Sequence, residues 1–158
     1  MKKLIKLGVG LILAVALTAC MDKAESNNDI ATYELKQPGV TIKMTLEGKD
    51  DKIIKQTTDS VIEYSAIGAQ DATQAKTILD EITNNTDYGA IQGITYSMEY
   101  GPTSAQESIV VDLTKADLKQ LAELPGSAFQ GDPAEGISFS ATGTLLESSG
   151  FTKVPEAK

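Results

Sequence analysis

The chain of 158 residues carries 14 lysines against 22 acidic residues, with no arginine, histidine or tryptophan and a single cysteine, Cys20. One domain's worth of sequence at a formal net charge of -8 excludes a polybasic nucleic-acid binder. Without histidine there is no imidazole base or imidazole metal ligand, and one cysteine permits neither an internal disulfide nor a thiolate zinc site.

Met1 to Lys6 hold three lysines and no acid, and an apolar and glycine run from Leu7 to Leu17 follows. That is the layout of a secretory signal, and its core is too short for a transmembrane helix, which needs about 20 apolar residues. Leu17-Thr18-Ala19-Cys20 resembles the bacterial lipoprotein processing site, the lipobox. The resemblance implies diacylglyceryl transfer to the Cys20 sulfur and cleavage between Ala19 and Cys20. An uncleaved signal anchor with an incidental Cys20 is the alternative, and the polar tract that starts at Met21-Asp22-Lys23 argues against it. Acyl chains at about 0.8 kcal/mol per buried methylene hold a protein on a bilayer without a spanning helix.

Removal of residues 1–19 leaves 139 residues with 11 lysines and 22 acids. So acidic a domain is repelled by an anionic membrane surface, so the lipid alone is expected to hold it there. Residues 20–30, the lipidated cysteine and the polar tract to Ile30, read as a tether, with a span of about 16 to 19 Å for a ten-residue coil. That span is comparable with the ~14 Å radius of gyration of a domain of this size. Residues 31–158 show no composition break and no repeat, and are expected to form one globular domain.

Thr32 to Gln37 is a short candidate strand stopped by Pro38-Gly39. Val40, Ile42, Met44 and Leu46 alternate with Thr41, Lys43, Thr45 and Glu47, the period of a half-buried strand. Gly48-Lys49-Asp50-Asp51 turns the chain into a long run from Lys52 to Ala66, whose polar middle predicts one bent or bulged strand. Asp71-Ala72-Thr73-Gln74 has the form of a capping box, and Ala75, Ile78, Leu79 and Ile82 follow at helical spacing. The helix is expected to end in Asn84-Asn85-Thr86-Asp87.

Ile94, Tyr96, Met98 and Tyr100 alternate again, Gly101 to Ser104 reads as a hairpin loop, and Ile109, Val111 and Leu113 continue beyond it. Thr114 to Asp117 opens a short helix containing Leu118, Leu121 and Leu124, closed before Pro125-Gly126. After a loop from Gly126 to Gly136, a last helix is expected from about Ser138 to Ser149, with Gly150 as its left-handed C-terminal residue and Phe151 as the accompanying hydrophobic contact. The order predicts an α+β fold: a mainly antiparallel sheet of about five strands with two to three helices packed on it.

Several stretches then carry a family likeness: Lys55-Gln56-Thr57, Ser65-Ala66-Ile67-Gly68-Ala69, Ala75-Lys76-Thr77-Ile78-Leu79, Gln106-Glu107, and Gly150-Phe151-Thr152-Lys153-Val154. In their order and spacing, and with the lipobox, the chain resembles the YehR-like bacterial lipoproteins, whose domain is known only as one of unknown function. The resemblance implies an envelope lipoprotein with a compact α+β domain. It supplies no reaction and no catalytic residues.

Glu47, Asp50 and Asp51 cluster at one turn with oxygen ligands that suit calcium, but they lack the alternate-position oxygens of an EF-hand, and the tract reads as a solvated turn. Asn84 to Asp87 reads the same way. Glu99 and Glu107 flank a hairpin loop and would serve as a general acid/base pair if they faced each other, but a polar sheet face accounts for both. Ser60, Ser65, Ser97 and Ser108 show no nucleophile-elbow or Ser-x-x-Lys pattern, so no nucleophile, metal site or cofactor is assigned. The binding candidates are aromatic: Tyr96 and Tyr100 on one strand face with Met98 between them, and Tyr88 and Phe129 in polar or glycine-containing connections. Core packing competes with binding for the strand tyrosines, and a loop side chain pinned onto the domain competes for Phe129.

The leading expectation is a monomeric, non-enzymatic, lipid-anchored envelope protein that binds another envelope protein or a small ligand outside the cytoplasm. A carboxylate-dependent hydrolase or calcium-dependent module is the second reading, and a passive structural or stress-tolerance lipoprotein the third. In all three, Cys20→Ala removes the only lipid-accepting thiol. The variant is expected to be released or mislocalised and to change in mass, which fractionation and intact-protein mass will show; unchanged fractionation and mass would refute the anchor.

Overall fold

The computed structural model describes residues 28–83, 86–124 and 136–155. Signal segment, lipobox, residues 20–27 of the expected tether, and Phe129 all lie outside the described residues. Within them the chain forms β1 (Asn28–Gln37), β2 (Val40–Lys49), β3 (Lys52–Glu63), α1 (Tyr64–Ile67), α2 (Ala72–Ile82), a 3-10 turn (Tyr88–Ala90), β4 (Ile94–Tyr100), β5 (Ser104–Asp112), α3 (Leu118–Ala122), α4 (Phe139–Ser148) and β6 (Thr152–Val154). The strands make one sheet in the order β4-β5-β3-β2-β1-β6, with every neighbouring pair antiparallel.

The α+β architecture is therefore as expected, with six strands where about five were predicted and four helices where two to three were. The sixth strand, β6, pairs Thr32 to Glu34 with Val154 to Thr152. Three residues are too few to show a period, which is why the sequence hides it. The first strand begins at Asn28, inside the expected tether, because its polar start pairs with the far end of β2, Asn28 opposite Lys49 and Ile30 opposite Glu47. The third strand stops at Glu63 rather than Ala66, and Gly68 ends α1 in the left-handed conformation.

Alternation gives the sheet one apolar face and one polar face. Tyr33, Ile42, Met44, Leu46, Ile62, Ala105, Ile109 and Val111 are buried on the first, while Lys43, Asp59, Gln106 and Glu99 are exposed on the second. An antiparallel sheet tolerates water on one side in this way. The phase of β3 depends on a bulge: Glu47 pairs with Lys55 but Gly48 pairs with Ile53, leaving Ile54 unopposed. That extra residue puts Ile53 on the same face as Gln56, Thr58, Ser60 and Ile62, all of them buried.

The hairpin between β2 and β3 turns on Asp50 and Asp51, both with positive φ, 53° and 57°. This is the twist-matched two-residue turn, and aspartate is among the few non-glycine residues that adopt it. Asp51 then does a second job. Its carboxylate accepts from the Ser138 hydroxyl (2.9 Å) and the Ser140 amide (2.8 Å), while the Ile53 amide donates to the Ile137 carbonyl (2.8 Å) and the Phe139 amide to the Asp51 carbonyl (2.8 Å). The start of α4 is thereby fastened to the hairpin, and Ser138 caps the helix by accepting from Ala141 (3.2 Å).

Capping explains the other helices too. Asp71 accepts from the Gln74 amide (2.9 Å), and the Gln74 side chain reaches back to the Gln70 amide (3.1 Å), one residue earlier than the standard capping box. Asp117 accepts from Lys119 (2.9 Å) at the start of α3. Gly150 has φ 95° and Phe151 is buried, the C-terminal arrangement expected after α4.

Close approach at the β2–α4 junction makes Gly48 a sensitive position. A Cβ there would lie 2.5 Å from Cδ2 and 2.9 Å from Cγ of Phe139. Gly48→Ala is expected to destabilise the domain by about 1–3 kcal/mol through overpacking, although alanine is ordinarily no worse than glycine in a strand. Urea titration checks it, and Phe139→Ala should recover part of the loss in the double variant.

Candidate functional site

The two glutamates that flank the β4–β5 hairpin do not meet. Glu99 pairs with Gln106, and Glu107 pairs with Met98 on one side and Ser60 on the other. Odd and even positions of a strand face opposite ways, so Glu99 is exposed on the polar face while Glu107 lies on the apolar one at 3% exposure. The acid/base pair is ruled out by register, and so is the polar-face explanation for Glu107.

Glu107 is the unusual group of the core. Burial pushes its carboxyl pKa up, and the Ser60 and Tyr96 hydroxyls oppose the shift without cancelling it. Its Oε1 is buried without a hydrogen-bond partner, as is the hydroxyl of Tyr88. Among the described residues no lysine acts on it. Tyrosines surround it instead: the Tyr88 and Tyr96 rings lie 5.4 Å apart at 45°, and burial first, then the Glu107 charge, raises the pKa of both hydroxyls. Tyr100 is raised by burial and then by Asp80 of α2, which pairs with Lys76 at 2.8 Å.

The predicted aromatic candidates therefore divide. Tyr88, expected in a solvated connection, is 1% exposed and belongs to the core, carried inward by the 3-10 turn. Tyr96, Met98 and Tyr100 do share a face and are partly exposed, packed against the core at the free edge of the sheet. What brings the four together is the β4–β5 ladder and the turn before it. Strand parity carried the signal that Glu107 belongs inside, since it falls in step with Ala105, Ile109 and Val111.

The acidic turn is likewise employed structurally. Glu47 pairs with Lys55 at 2.7 Å, Asp51 holds α4, and Asp50 occupies the turn. Burial raises the Asp51 pKa, but the hydrogen bonds from Ser140 and Ser138 outweigh it and leave it below its ordinary value. Among the described residues no three histidine, cysteine or acidic side chains converge as a metal site.

Two surface depressions border the hairpin. A cleft of about 570 Å³ at the end of the sheet is lined by Val61, Glu63, Tyr64, Ala69 and Pro102 among others, and the Tyr64 hydroxyl donates to the Gly101 carbonyl (2.7 Å) to close its floor. On the polar face a smaller one of about 290 Å³ is lined by Asp59, Ser97, Glu99, Gln106 and Ser108 among others. Its two exposed acids give it negative charge.

Comparison with known proteins fixes the family. Residues 29–152 match the family described as a protein of unknown function, DUF1307. The chain belongs to the DUF1307 family. An uncharacterized lipoprotein of Listeria innocua is 38% identical to it over 144 residues, 91% of this chain and 90% of the other. The uncharacterized lipoprotein YehR of Escherichia coli is 30% identical over 153 residues, 96% of either chain. The NMR structure of E. coli YehR matches with a TM-score of 0.68 at 26% identity, covering 85% of this chain and 96% of that one. The resemblance to YehR-like lipoproteins thus holds. This DUF1307 protein is a lipoprotein with a signal peptide and lipobox, lipid-anchored at the cell envelope, and none of its described helices is long and apolar enough to cross a membrane.

A buried acid without a basic partner makes stability depend on pH. The folded state holds the Glu107 proton more tightly than the unfolded chain, whose carboxyl titrates near 4.5. Its contribution is thus most favourable in acid and is lost as pH rises from that value through the raised folded one. Glu107→Gln should flatten this fall, measured as urea midpoints between about pH 4 and pH 8; an unchanged pH profile would refute the assignment.

Proposed function

We propose that this DUF1307 lipoprotein is a non-enzymatic binding module outside the cytoplasm, held by its lipid and engaging another envelope protein through the β4 margin of its sheet. The observation that carries the reading is the row Tyr96, Met98 and Tyr100, which stays partly exposed on the sheet face that the helices otherwise cover. Tyrosine gives a large, rigid contact area with a polar tip, and methionine adapts to irregular surfaces; both are enriched in interfaces. Among the described carboxylates, Glu99 and Glu107 lie on opposite faces and Glu47 and Asp51 are engaged in local bonds, which weighs against the hydrolase and calcium readings.

The test is chemical cross-linking in intact cells, affinity purification and mass spectrometry, with Cys20→Ala as the unanchored control. One partner is expected in stoichiometric amount, lost in the control. In purified form its affinity should fall by about 2 kcal/mol, roughly 30-fold, in Tyr100→Ala if that side chain is an anchor of the interface. Recovery of nothing above the control, or a partner indifferent to both tyrosines, would overturn the reading.

A further inference from the structure

The two margins of the sheet differ in what they offer a neighbour. At one, β6 has three residues, includes Lys153 and runs into Pro155, the short, charged and proline-terminated form that blocks further pairing. At the other, β4 reads Ile-Thr-Tyr-Ser-Met-Glu-Tyr, seven residues without lysine or proline. Glu99 is its one charged residue, and it stands on the polar face.

Its free backbone groups can be assigned. Gly101 donates to the Ser104 carbonyl (2.9 Å) and Asp112 to the Gly93 carbonyl (2.7 Å), so in the antiparallel register it is the odd residues of β4 that exchange hydrogen bonds with β5. The N–H and C=O groups of Tyr96, Met98 and Tyr100 then point away from the sheet. Among the described residues none of them has a hydrogen-bond partner. Three donors and three acceptors in a row, at about 7 Å intervals, form a template for one more strand.

We infer that β4 receives an extended strand of a partner protein by β-strand addition, which gives the binding reading above, on which it rests, a partner class and a geometry. Main-chain bonds to Tyr96, Met98 and Tyr100 supply the pairing, and alternate side chains supply the choice. Toward the helices the incoming strand meets the tyrosine and methionine row and so carries apolar residues. Toward the polar face it meets Thr95, Ser97 and Glu99 beside Asp59 and so carries lysine, arginine or hydroxyl residues. The same charge argues against a second copy, since each would bring Glu99 and a strongly acidic domain to the other.

The test uses the lipid-free mature domain, a synthetic peptide that alternates valine with lysine and threonine, and backbone amide exchange followed by NMR. In the free domain the amides of Tyr96, Met98 and Tyr100 should exchange fast while those of Thr95, Ser97 and Glu99 are protected. Added peptide should slow the first three at least tenfold, and its N-methylated counterpart should not. Met98→Pro removes one outward donor that the β5 ladder does not use, at an edge position where proline is tolerated; it should keep the dispersed spectrum and abolish the effect. Protection of the three amides in the free domain would overturn the inference, as would their appearance with rising protein concentration alone, which would make the occupant a second copy. Peptide-induced shifts of the Tyr96 and Tyr100 rings without amide protection would overturn strand addition yet leave the binding module standing.

Discussion

The bulge at Ile54 sets the phase of the sheet. In a strand the side-chain period is two, so a slip of one residue turns every side chain to the other face. With Ile53 inward at the start of β3, an unbroken strand would aim Lys55, Thr57 and Asp59 at the core and Ser60 and Ile62 at solvent. The extra residue reverses that, seats Ile62 between Val40 and Ala105, and brings Ser60 opposite Glu107. It also leaves Gly48 at the close contact with Phe139, where α4 crosses the hairpin. Bulge, turn and α4 cap thus form one unit: Asp51 can bind Ser138 and Ser140 only from the turn that the bulged pairing closes.

A consequence is that the centre of the apolar face is partly polar. Gln56, Thr58, Ser60 and Glu107 are all buried on neighbouring central strands, where the register alone would favour valine or isoleucine. Gln56 donates to Thr58 at 3.3 Å, so part of this group satisfies itself. Glu107 is satisfied only in part: the Ser60 and Tyr96 hydroxyls bond to the carboxyl, while its Oε1 has no hydrogen-bond partner among the described residues. In a domain without arginine or histidine, lysines are the only cations available, and their long solvated stems stay at the surface, paired with Glu47, Asp80 and Asp112. At Asp112 the Lys115 bond and the Thr114 hydroxyl bring the carboxyl down to about 2.

Local chemistry was the legible part of this sequence. Strand alternation over Val40–Leu46 and Ile94–Tyr100, the cap at Asp71, and the Gly150-Phe151 ending are each fixed by residues within a few positions and appear where they were expected, and of the tract Thr114 to Asp117 it is Asp117 that caps the short helix. What escaped depends on distant partners. The pairing of β6 requires β1, some 120 positions earlier; the end of β3 is set by the Tyr64 amide bonding to Thr103. Glu107 is the intermediate case: parity with Ile109 was visible, but a carboxylate on an apolar face contradicts the ordinary partition of charge, and the ordinary rule was followed.

Topology also separates the anchored end of the sheet from the margin available for binding. The chain enters at Asn28, eight positions after Cys20, and the strand it enters, β1, lies four places from β4 in the sheet. At about 4.8 Å per place the separation is roughly 19 Å, more than the width of a helix. A partner on β4 therefore does not compete with the anchored strand for the same edge, and the β6 strand that covers β1 has no such opening. The hydroxyl-rich outer face, Thr41, Thr45, Thr57 and Ser108 among its residues, spans the distance between the two margins. Stability comes from the face that carries the helices, and among the described residues the β4 edge keeps a pairing capacity that no other strand uses.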